Sequence, residues 1–87
     1  MIFGYSRRKV NNYGLHELKE VTLAMGPAEL RLLGRFLLDM ADQMEAGAFD
    51  ACSHRHLTSA HPAWSELHPS ADVIVMPPED GSAGGRG

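Results

Sequence analysis

Only one stretch of this 87-residue chain carries a long helical period, and it limits what the chain can become. Gly26-Pro27-Ala28-Glu29 reads as a helix start. Proline loses nothing at the first helical position, and an acidic side chain suits the positive end of the helix dipole. From there Leu30, Leu33, Leu37, Met40, Ala41 and Met44 recur at three- and four-residue intervals, a stripe roughly 100° wide on a helical wheel. Gly47 supplies the stop. The spacing predicts one amphipathic helix from Pro27 to Ala46, with Gly34 facing a closely passing strand. A single helix of that kind must lie on something else, and the flanking segments read as strands.

Ile2 to Ser6 reads as a first short strand, and Arg7-Arg8-Lys9 with Val10 to Gly14 as turn. Glu17 to Met25 alternates, with Val21, Leu23 and Met25 on one face. His54 to Thr58 reads as a third strand. His61 to Ala71, holding Pro62 and Pro69, reads as a loop pinned by Trp64. Asp72 to Met76 is apolar on both faces and reads as a central strand that Pro77-Pro78 ends. The expected fold class is α+β. It is a small two-layer domain in the order strand-strand-helix-strand-strand, the helix packed on one face of a mostly antiparallel four-stranded sheet. The domain is expected over residues 1–77, followed by a disordered Gly-rich tail over 78–87.

Eight Lys+Arg against 11 Asp+Glu give a net charge of −3, so general nucleic-acid binding, which needs surplus cations, is not expected. Cys52 is the only cysteine, which excludes an internal disulfide and fits a reducing compartment. No leader-like start and no membrane-length apolar run is read, and the expected location is the cytoplasm.

Four constellations could carry chemistry. His54 and His56 alternate along a strand and could offer two imidazoles to a metal, with His61, Cys52, His68 or a carboxylate completing the set. The plainer reading is two half-exposed histidines on the open sheet face, with no metal and no cofactor. Cys52 reads as a free thiol, since neither a nucleophile elbow nor a paired-carboxylate signature accompanies it. Arg7-Arg8-Lys9, with Tyr5 and Tyr13 nearby, reads as a solvated turn before it reads as a phosphate contact. On the helix side away from the stripe, Asp39, Asp42 and Glu45 gather where the dipole disfavours them, with Leu38 among them. That patch is expected to be either a solvated face or a surface that steers a basic partner.

The segments Glu20-Val21-Thr22-Leu23, Gly26 to Arg31, Phe36 to Glu45, His54-Arg55-His56-Leu57 and Asp72-Val73-Ile74-Val75, in this order, resemble the immunity protein 32 family of bacterial polymorphic-toxin systems. The likeness spans residues 17–76 and departs from the family in the loop, where Cys52-Ser53 stand in place of acidic residues. It implies a non-catalytic protein that neutralises a cognate toxin by binding it. Leu38, Asp39, Asp42, Glu45, His54 and His56 are the expected contact residues. The alternatives are a metal-binding domain using His54, His56 and His61, and an accessory protein that dimerises through its open sheet face.

Overall fold

The computed structural model describes residues 1–50, 53–67 and 71–78. The chain runs β1 (Ile2–Lys9), β2 (His16–Leu23), α1 (Pro27–Glu45), β3 (Arg55–His56), α2 (Leu57–Ala60), α3 (Trp64–Leu67) and β4 (Ile74–Val75). The α+β class and the strand-strand-helix-strand-strand order stand, with two short helices set between the last strands.

The strands do not form one sheet. β1 pairs antiparallel with β2, and β3 pairs antiparallel with β4, as two separate two-stranded sheets. β4 is therefore an edge strand of two residues, not a central one, and Ile74 is exposed. β1 runs on through Arg7-Arg8-Lys9, which the sequence reading placed in a turn. The reversal lies beyond them, where Asn11 Oδ1 accepts the amides of Tyr13 at 2.8 Å and Leu15 at 3.2 Å. A side-chain acceptor that mimics a backbone turn is the usual role of asparagine there. Leu57 and Thr58 likewise belong to α2 and not to a third strand. Cys52, His68 and the tail from 79 onward lie outside the described residues.

Two glycines explain local backbone. A Cβ on Gly4 would lie 2.2 Å from the Glu20 carbonyl oxygen, so only glycine lets β1 and β2 close at that point. Gly47 takes φ +81° just beyond α1. The Gly47 amide donates to Met44 O at 3.1 Å and the Ala48 amide to Gln43 O at 2.9 Å, the paired bonds that satisfy the last helical carbonyls.

Among the described residues the core holds five buried side chains: Leu33, Phe36 and Met40 from α1, Leu57 from α2 and Trp64 from α3. Ile2, Met25, Leu32, Phe49, Val73 and Val75 pack around them, half-buried. The indole of Trp64 donates to Ala71 O at 2.9 Å and the Leu57 amide to Val73 O at 2.8 Å, which ties the returning chain across the helix. The buried arc of α1 is thus Leu33-Phe36-Met40, rotated from the stripe expected from spacing. Leu30 and Leu37 are exposed, at 45% and 46%. The apolar arc of α1 is wider than the core needs, and the segment after Ser53 covers only one side of it. Gly34 has no atom within 4 Å of where its Cβ would be, so no strand passes there. Among the described residues nothing offsets its cost of about 1 kcal/mol relative to alanine.

A shifted phase makes a sharp test. Phe36→Ala, at a fully buried position, should cost about 3–5 kcal/mol in chemical denaturation. Leu37→Ala, which gives up only partial burial, should cost about 1 kcal/mol or less. Equal losses at the two positions would mean that α1 is turned the other way.

Candidate functional site

The densest polar cluster of the described chain gathers on Asp72. Its Oδ2 accepts from His56 Nδ1 at 2.7 Å and Thr58 Oγ1 at 3.2 Å, and its Oδ1 accepts the amides of Val73 at 2.8 Å and Thr58 at 3.2 Å. Asp72 begins the return strand, and Thr58 lies in the first turn of α2. The carboxylate thus satisfies an amide that the short helix leaves free, and joins β3, α2 and β4. An ionised carboxylate only accepts hydrogen bonds, so the His56 proton facing it resides on Nδ1.

His54 lies beside His56, the ring centroids 5.1 Å apart and the planes 66° from parallel. Both line a cleft of about 310 Å³ with Met40, Gln43, Arg55 and Ser59. The Arg55 guanidinium stacks 4.4 Å over Phe49 and donates to Ala48 O at 3.4 Å, so its charge is already engaged. The pairing of His54 with His56 expected from strand alternation is present, although only His56 lies in the strand itself. His61 does not join them. It packs edge-on to Phe36 at 6.3 Å, and among the described residues no three His, Cys, Asp or Glu side chains converge as a metal-holding group. The three-histidine set therefore does not form.

Most of the helix residues occupy another surface. Leu38 is 68% exposed, and Asp39, Asp42 and Glu45 are exposed along the same side of α1. On the wheel Leu38, Asp42 and Glu45 fall across the helix from Met40 and lie apart from the histidine cleft, whereas Asp39 sits one turn before Gln43, on the cleft side. The basic run is partly neutralised, because Glu17 takes Arg8 Nε at 2.5 Å and Arg7 Nε at 3.8 Å. Lys19 Nζ lies 6.0 Å over the Tyr5 ring. Among the described residues no helix is long and apolar enough to cross a membrane.

Spacing did not reveal Asp72 or Thr58 as members of the cluster. An aspartate before Val-Ile-Val looks like a strand edge, and its partners lie 14 and 16 residues away.

Partial burial pushes the Asp72 carboxyl up, but the bonds from His56, Thr58 and Val73 outweigh it and hold the group below its ordinary 3.8. A carboxylate depressed in the folded state adds stability above that ordinary value and loses it as pH falls through the lower folded value. Asp72→Asn should therefore lower the denaturation midpoint at neutral pH, and the gap to the parent should narrow below pH 3.8. A gap that holds constant into acid would show that the carboxylate charge contributes nothing.

No protein-family model, curated protein or solved structure matches the chain.

Proposed function

We propose that this chain is a non-catalytic binding protein that neutralises a cognate bacterial toxin by direct contact in the cytoplasm. The toxin-directed part of the reading comes from the sequence pattern and its likeness to immunity protein 32. The observation that supports a binding role is the apolar surface left uncovered. Fifteen large hydrophobic side chains are exposed among the described residues against five that are buried. Single exposed leucines mean little, but a contiguous set marks an interaction surface.

The set is densest on the β1–β2 hairpin. Ile2 pairs with Leu23, Gly4 with Val21 and Ser6 with Leu18, so Leu18, Val21 and Leu23 share the face that includes Ile2. Only Ile2 of that face reaches the core, and the three β2 residues are exposed. A lone two-stranded hairpin is marginal in water and gains independent stability when a further layer covers its apolar face. A protein partner laid on that face supplies the layer. His54 and His56, which line the cleft, are a second contact for the same partner.

The test is the protein encoded beside this one. Co-expression with a compact toxin domain from the adjacent reading frame should give a stoichiometric complex and restore growth. Val21→Asp, at an exposed position, should keep the circular dichroism spectrum yet lose the complex. Free toxin in the presence of folded parent protein would sink the reading. Capture by Val21→Asp as tight as by the parent would remove the hairpin from the contact.

A further inference from the structure

We infer that two copies of this chain pair through α1, the helices antiparallel about a two-fold axis between Leu37 and Leu38. This inference is independent of the toxin reading and uses a different surface. The first observation is the uncovered half of the helix. Leu30, Gly34, Leu37 and Ala41 form one row, with Leu38 on its flank. All but the glycine are exposed, and Gly34 has open space where a Cβ would point. Leu30 and Leu37 are seven residues apart, as are Gly34 and Ala41, which is the repeat of a helix–helix seam. The small pair lets two backbones approach toward the 8 Å end of the usual range of about 8–10 Å.

Charge identifies the occupant. Arg31 and Arg35 flank the row in the N-terminal half of α1, and Asp42 and Glu45 flank it on the same side in the C-terminal half. None of these four makes a side-chain hydrogen bond or ion pair within the described chain. A two-fold axis between Leu37 and Leu38 sets Gly34 against Ala41 of the second copy. It also brings Arg31 toward Glu45 and Arg35 toward Asp42 of that copy, twice over. In antiparallel helices the same flank of each meets, so the signs match along the whole seam. A parallel pairing would set this charged flank against the opposite flank of the second copy, where Leu33 and Met40 lie, and leave the four charges without partners. The acidic residues that oppose their own helix dipole thus find cations in a second copy. The hairpin face stays open for another partner.

Sedimentation equilibrium of the untagged full chain at low salt tests this. The expected mass is twice 9.5 kDa, with dissociation on dilution and on adding salt. Leu37→Asp should give a monomer with an unchanged circular dichroism spectrum. Arg35→Asp and Asp42→Arg should each weaken the dimer by about tenfold, and the two together should recover most of the loss, as a direct contact requires. A chain that stays monomeric at every concentration would overturn the inference. So would a dimer indifferent to Leu37→Asp, or charge variants whose losses simply add.

Discussion

The packing of the segment after Ser53 on α1 depends on how Phe36 is covered. It is fully buried against Leu57 and Trp64, which reach it only because the chain returns across α1 after Ser53. That return is held by polar contacts. The Trp64 indole is tied to Ala71, the Leu57 amide to Val73, and Asp72 gathers His56 and Thr58. A four-residue helix and a two-residue strand have almost no stability of their own. They exist because the carboxylate and the indole fix their ends while their apolar side chains close on α1. The cleft that presents His54 and His56 is a by-product of that closure, since Met40 belongs to both the core and its rim.

Five buried core residues among those described are few even for a short domain, and much apolar surface is left in water. The cause lies in the division of labour. The C-terminal segment spends its hydrophobic residues on one side of α1, while the hairpin touches the core mainly through Ile2. Two faces then stay apolar and open: the hairpin side bearing Leu18, Val21 and Leu23, and the helix side bearing Leu30 and Leu37. They differ in character. The helix side is flanked by charges that change sign along the axis, which suits a copy of itself. The hairpin side carries no such pattern and suits a foreign surface.

The sequence reveals element limits far better than their packing. Pro27 and Gly47 bracket α1 because their chemistry is local: a ring that needs no amide partner and a backbone that accepts positive φ. The phase of α1 was not legible. Leu30, Leu37 and Ala41 are as apolar as Leu33, Phe36 and Met40, so periodicity shows a broad stripe but not which half is covered. That choice is made by Leu57 and Trp64, which lie beyond the end of α1 in the returning chain. The hub at Asp72 was hidden for the same reason. The pairing of His54 with His56 needed only a short extended step and was visible. Arg7 to Lys9 looked like a turn because they are charged, yet cross-strand Glu17 makes them a tolerable strand end.

Apart from Ile2, the β1–β2 hairpin stays outside the core and its apolar face is open. Hydrogen exchange on the free chain, diluted until it is monomeric, tests that claim most directly. Amides of α1 around Phe36 should open only with global unfolding, while those of β1 and β2 should exchange much faster through local opening. Hairpin amides as slow as those of α1 in the isolated monomer would contradict the account, because they would show a hairpin already covered by its own chain.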